Sequence, residues 1–90
     1  MLKVVLSNQF KKDLKSAQKR RLDISALKKV VDKLAICEPL PDKNKDHPLT
    51  GNYVGFRECH IAPDWLLIYR VEQEELLLFL FRTGTHSDLF

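Results

Sequence analysis

The sequence predicts an α+β fold: an N-terminal strand, an antiparallel helical hairpin, then a three-stranded antiparallel meander completing one small sheet. Three observations carry this. Apolar residues recur at helical spacing in two consecutive stretches between Asn8 and Leu34. The pattern then changes, from Tyr53 onward, to runs of branched and aromatic residues divided by short turns. Between the two regimes lies a polar loop broken by prolines. At 90 residues the chain is expected to form a single domain, residues 1–90, around one core.

Leu2 to Leu6 is short and β-branched, which suits a first strand. Ser7 is a natural N-cap for a helix from Asn8 to about Arg21, with Phe10, Leu14 and Ala17 as a narrow apolar stripe. Asp23 or Ser25 caps a second helix whose buried face is Ile24, Leu27, Val30, Val31 and Leu34. That helix should stop before Glu38-Pro39-Leu40-Pro41, because proline disfavours helical geometry in the residue preceding it. The join is short, so the helices should run antiparallel. Residues 39–52 read as a polar loop. Strands are expected over Tyr53–Ile61, Trp65–Val71 and Leu76–Arg82, with turns at Ala62-Pro63-Asp64 and Glu72-Gln73-Glu74. Leu76 to Phe81 is apolar throughout, as a central strand covered on both faces, or one facing a partner, would be. The first strand should join the sheet beside the last, in parallel.

With 44% apolar and 30% charged residues, the composition is that of a globular chain rather than a disordered one. The longest apolar run falls far short of the roughly 20 residues that cross a bilayer. Met1 to Ser7 holds no stretch long enough for a secretory signal, so a cytoplasmic location is expected. Cys37 and Cys59 form neither a disulfide framework nor a metal knuckle, and both are expected as buried free thiols. Charge is uneven: residues 1–46 carry 12 Lys/Arg against 6 Asp/Glu, and residues 47–90 carry 3 against 6. All three histidines lie in the second half. One surface could hold a polyanion while another does chemistry, although amphipathic helices also carry lysine simply for solubility.

His47, His60, Asp64, Arg82 and His86 are the candidate catalytic group. Histidine, with an unperturbed pKa of about 6.5, can take and give a proton near neutrality. Arginine matches two phosphate oxygens with a planar fork of donors. A base, an acid and a fixed cation suffice to cleave RNA through its own 2′-hydroxyl without a metal. Other readings stay open at this level. His60, Asp64 and His86 could instead bind zinc, Arg82 could pair structurally with Glu58, and Trp65 could stack on a base or pack a core.

Asp46-His47-Pro48-Leu49, Gly55 to Ile61, Pro63-Asp64-Trp65-Leu66-Leu67-Ile68-Tyr69 and the tail Arg82 to Phe90 resemble the YafQ branch of the RelE/ParE toxin superfamily. Ala17-Gln18-Lys19-Arg20 fits as well, and the resemblance spans nearly the whole chain. It implies a type II toxin with a microbial-ribonuclease-like fold. Such a toxin cuts mRNA in the ribosomal A site, with a preference in this branch for adenine-rich lysine codons. Residue by residue, it implies that His47, His60, Asp64, Arg82 and His86 form the catalytic group, with Trp65 and Phe90 holding substrate and Arg57 as a further phosphate contact. His86 would be the acid, Asp64 or His60 the base, and Arg82 the phosphate ligand. Lys11, Lys12, Lys15, Lys19, Arg20 and Arg21 would grip 16S ribosomal RNA.

The implied partners are the ribosome, its mRNA and a cognate ribbon-helix-helix antitoxin with an extended inhibitory tail. No membrane, metal or small-molecule cofactor is expected. The alternatives are a ParE-like gyrase-inhibiting toxin, which has no need of acid–base residues, and a non-catalytic RNA-binding module.

Overall fold

Ser7 behaves as the cap its position predicts, and it also ties the first helix to the far end of the chain. In the computed structural model, which describes residues 1–90, its hydroxyl accepts the Phe10 N–H at 2.8 Å and donates to the Phe81 carbonyl at 2.6 Å. Strand β1 (Lys3–Leu6) therefore runs straight into helix α1 (Asn8–Lys19), whose Phe10 and Ala17 are buried with Leu14 packed beside them. Arg21 turns the chain with a φ of +59°. Helix α2 (Ile24–Ala35) then begins, its first free N–H groups met by the Asp23 carboxylate. No helix is long and apolar enough to cross a membrane.

The polar loop carries more structure than its composition suggests. A 3-10 turn at Asp42–Asn44 leads through Lys45, at a φ of +48°, into a two-residue strand β2 (His47–Pro48). A second 3-10 turn occupies Gly51–Tyr53. Strands β3 (Arg57–Ala62), β4 (Trp65–Glu72) and β5 (Leu77–Gly84) form the meander, and a short helix α3 (His86–Leu89) ends the chain.

The sheet therefore has five strands, in the order β1-β5-β4-β3-β2, where the sequence predicts four. β1 pairs with β5 in parallel, Lys3 opposite Leu77 and Leu6 opposite Leu80, while the remaining pairs are antiparallel. Residues 53–56 lie outside the strand expected from Tyr53, because Gly51 and Gly55 hold left-handed backbone that keeps this stretch coiled. The last strand also extends two residues past Arg82.

Alternation sorts the side chains by face. Cys59, Trp65, Leu67, Tyr69, Leu78 and Leu80 point to the helices and form the main core. Each buried leucine there contributes about 1.5–3 kcal/mol. Leu66 and Ile68 point the other way, under Leu89, Tyr53, Phe56 and Phe81. Glu58 and His60 share that outer parity. Cys59 is fully buried as expected, and burial with the neighbouring Asp46 and Glu58 carboxylates pushes its thiol up to about 12. Cys37 is exposed instead, because it sits in the left-handed turn beyond α2 with nothing packed over it.

A β-bulge decides the parity of the site. Ile68 pairs with Arg82 but Tyr69 pairs with Leu80, so Phe81 is an extra residue on β5. Without it Arg82 would share the parity of Leu78 and Leu80, beneath the helices. With it, Thr83 takes the inward position.

Candidate active site

Register places His47 opposite Glu58 and Glu58 opposite Ile68, which in turn faces Arg82. One row across four strands thus carries an imidazole, a carboxylate and a guanidinium. Glu58 is the residue at its centre, and its side chain is only 6% exposed. Its Oε1 lies 3.7 Å from His60 Nε2 and 3.9 Å from His47 Nε2, separations longer than a formed hydrogen bond.

Neighbouring backbone orients the His47 ring. The His47 Nδ1 lies 2.7 Å from the Lys45 carbonyl. A carbonyl only accepts, so Nδ1 carries the proton and Nε2 is the nitrogen turned to Glu58. The left-handed Lys45 makes that geometry possible. Asp46 pins the same loop to the sheet by accepting from Tyr69 at 2.6 Å and from Arg57 Nε at 3.2 Å. The buried Asn44 side chain donates to the His60 carbonyl at 2.7 Å, fixing β3 from below.

Helix α3 brings the third histidine. Thr85 and Asp88 form a reciprocal capping box, with Thr85 N–H to Asp88 at 2.9 Å and Asp88 N–H to Thr85 at 3.2 Å. The His86 ring then lies 6.2 Å from the His60 ring, centroid to centroid, and 6.0 Å from Phe90. Phe90 is 59% exposed and packs edge-on to Tyr53 at 5.5 Å. It offers an open aromatic face beside His86.

Arg82 is held on one side. Its Nε and Nη2 donate to Asp13 of α1 at 2.9 and 3.2 Å, so the structural ion pair is with Asp13 and not with Glu58. Burial pushes the Asp13 carboxyl up, but hydrogen bonds from Arg82, Gln9 and the Thr83 N–H more than offset this and leave it below the usual carboxylate range.

The structure thus places His47 and His60 beside Glu58 and His86 beside His60, with Arg82 two strands away on β5. Asp64 stands apart, exposed in the two-residue turn between β3 and β4. Trp65 corrects the stacking expectation. It is 3% exposed, with its indole N–H donated to Thr83 at 2.8 Å, so its ring packs the core and has no free face for a base. Arg57 lies on the helix-facing parity of β3 and spends its Nε on Asp46. Of the basic residues on and after α1, Lys11, Lys12, Lys15, Lys19 and Arg21 are exposed, whereas Arg20 pairs with Asp88 at 2.7 Å. Sequence reasoning missed Glu58 as a site residue and Asp13 as the partner of Arg82. The first could have been found from its place two residues before His60, which gives the two side chains one face. No group of three His, Cys, Asp or Glu side chains is arranged to hold a metal ion.

An imidazole–carboxylate cluster beside an aromatic tail thus lies on one face of a small α+β sheet whose other face carries a lysine-bearing helix. The family model described as a bacterial toxin of the type II toxin–antitoxin system, YafQ, matches residues 2–90, and the chain belongs to this family. An mRNA interferase toxin YafQ from Escherichia coli K12 is 47% identical over 85 residues, covering 93% of this chain and 90% of that protein. A metal-bound toxin from Helicobacter pylori superposes with a TM-score of 0.95 at 50% identity, covering all of both chains. A chain of the E. coli DinJ–YafQ toxin–antitoxin complex gives a TM-score of 0.88 at 44% identity, over 99% of this chain and 97% of that one.

Proposed function

We propose that the protein is the toxin of a type II pair and an endoribonuclease that cuts mRNA on the ribosome, at A-site codons rich in adenine such as those for lysine. The observation that supports this best is the convergence of His60, His86 and Glu58, from two distant segments, on the face of the sheet away from α1 and α2. His60 is the base. It takes the proton of the 2′-hydroxyl, whose oxygen attacks the adjacent phosphorus as the bond to the 5′-oxygen breaks. His86, as imidazolium, gives its proton to that departing oxygen. The products are a 2′,3′-cyclic phosphate and a 5′-hydroxyl. Glu58 faces the Nε2 of both His60 and His47 and orients the two imidazoles. Arg82 steadies charge on the phosphorane, and Phe90 stacks on a base.

Asp64 is the weaker candidate for the base, since its turn is exposed and it touches none of the histidines. The exposed lysines of α1, with Arg21, suit a phosphate backbone without sequence preference. The ribosome then supplies codon alignment, the chain works in the cytoplasm, and a ribbon-helix-helix antitoxin neutralises it. The relative crystallised with DinJ supports an antitoxin partner.

The test is cleavage of a defined mRNA in a translating extract and as naked RNA, with the ends mapped. Cuts at A-site lysine codons leaving 5′-hydroxyl ends are expected, with His86→Ala and Arg82→Ala nearly inactive. Equal cutting of naked and translated mRNA overturns ribosome dependence, and near-normal activity in both variants overturns the assignment of roles.

A further inference from the structure

Asp13 is a buried-side carboxylate on a helix that the proposed chemistry does not use. Its side chain is 10% exposed, and its partners beyond its own helix are Arg82 and the Thr83 N–H of β5. Oδ2 accepts Arg82 Nε at 2.9 Å and the Thr83 N–H at 3.1 Å, while Oδ1 accepts Arg82 Nη2 at 3.2 Å and Gln9 Nε2 at 3.1 Å. A guanidinium has five N–H donors in a rigid plane. Asp13 occupies one edge of that plane, the Nε and Nη2 edge. The Nη1 and Nη2 fork opposite stays free, and two phosphate oxygens match such a fork.

We propose that Asp13 is a positioning residue: by clamping one edge of Arg82 it fixes the plane and direction in which the other edge meets the scissile phosphate. The assignment rests on the endoribonuclease reading above. Three features favour it over a merely structural ion pair. Arg82 follows the bulge at Phe81, so strand pairing alone does not dictate where its side chain goes. β1 ends opposite Leu80, which leaves that edge of β5 open near Arg82, and α1 is the element that fills the gap. The carboxylate also receives the Thr83 N–H, so one residue registers both the guanidinium and the backbone of the strand end that carries it. A long arginine side chain left free would spread over many rotamers, and that freedom would have to be lost at each turnover.

The experiment is a double-mutant cycle in the translating extract, reading cleavage rate at saturating and limiting toxin, with thermal melting of every variant. Asp13→Asn keeps the shape and removes the charge. It is expected to lower the maximal rate by about tenfold to a hundredfold, with a smaller effect on the half-saturating concentration. In an Arg82→Ala background the same change should do nothing further, because the group through which Asp13 acts is gone. Asp13→Glu, which retains the charge on a stem one methylene longer, should keep more activity than Asp13→Asn. It also supplies the cycle if the asparagine variant melts below assay temperature. Asp32→Asn, an exposed carboxylate on α2 paired only with Lys28, serves as the charge control and should match the unaltered protein.

A folded Asp13→Asn protein cutting within twofold of the unaltered one overturns the proposal. So does an equal loss in both backgrounds. If the unaltered protein itself fails to cut, it is the endoribonuclease reading that falls.

Discussion

Gly84 is where stability and activity should separate most clearly. An ideal Cβ placed on it would lie 2.9 Å from both Cβ and Oδ2 of Asp88, closer than real Cβ atoms come to a neighbour. Its backbone is not left-handed, so Gly84→Ala acts through that collision alone. Asp88 must move, and with it go the back-bond to the Thr85 N–H and the contact with Arg20. Loss of a helix cap costs about 1 kcal/mol. In a domain of this size that lowers Tm by about 4–8 °C. The exposed Arg20 pair is screened by solvent and adds nothing to that figure. Activity should suffer more, because His86 and Phe90 ride on the four-residue helix that Asp88 closes. Circular dichroism melting beside cleavage of a defined mRNA in a translating extract measures both effects. A variant that keeps its activity while losing stability would refute the claim that the capping box places His86. One that loses neither would refute the collision itself.

Glu58→Gln, which keeps the shape and removes the charge between two imidazoles, should lower cleavage at least about tenfold with little change in melting, read in the same extract. Trp65→Phe should destabilise by about 1 kcal/mol in denaturant titration, through loss of the indole N–H bond to Thr83, whose hydroxyl still donates to the Leu66 carbonyl, while the folded fraction keeps its codon choice. A shifted codon profile would restore a stacking role. The acid limb of stability follows from Asp13 and Asp88, both held below their ordinary range by hydrogen bonds from the arginines beside them and, for Asp88, from Thr85. Their contribution is present above the unfolded value of 3.8 and is lost as pH falls below it, so melting temperature should drop there and Asp88→Asn should flatten that limb. In alkali the sign reverses. The Cys59 thiol, pushed up to about 12 by burial, stabilises the fold below 9.0, and this is lost as pH climbs toward 12; Cys59→Ala melts should lack that loss.

What the sequence shows of this molecule follows the range of each interaction. Helix caps at Ser7 and Asp23 are local, so both helices are legible from spacing and one capping residue each. The three long strands are legible for the same reason. Strand β2 is not, because two residues hold no period, and its pairing is set by Glu58 and Arg57 across the sheet. The stretch from Tyr53 to Phe56 looks like strand by composition, and only the glycines flanking it argue otherwise. In the site, His60 and His86 are visible as residue types, and their meeting depends on a cap whose Thr85 and Asp88 lie in plain sequence. Glu58 was legible by parity with His60, yet it reads more readily as a counter-ion. Arg82 with Asp13 is a different matter. The two are 69 residues apart, and the bulge that frees Arg82 from core parity leaves no mark in the order of residues. Trp65 beside Asp64 suits either exposure or burial until Thr83 is seen to take its N–H.

One edge of the sheet is made by partners from opposite ends of the domain, β1 beside β5, and the Ser7 to Phe81 contact across 74 residues continues that pairing. Such non-local pairing slows folding, since a long loop must close before any contact rewards it. It also sets an order of events during synthesis. Until β5 and the short helix after it have emerged, the growing chain lacks both the neighbour of its first strand and the histidine nearest its last residue. A half-made molecule therefore lacks the pair of histidines on which the proposed cleavage depends.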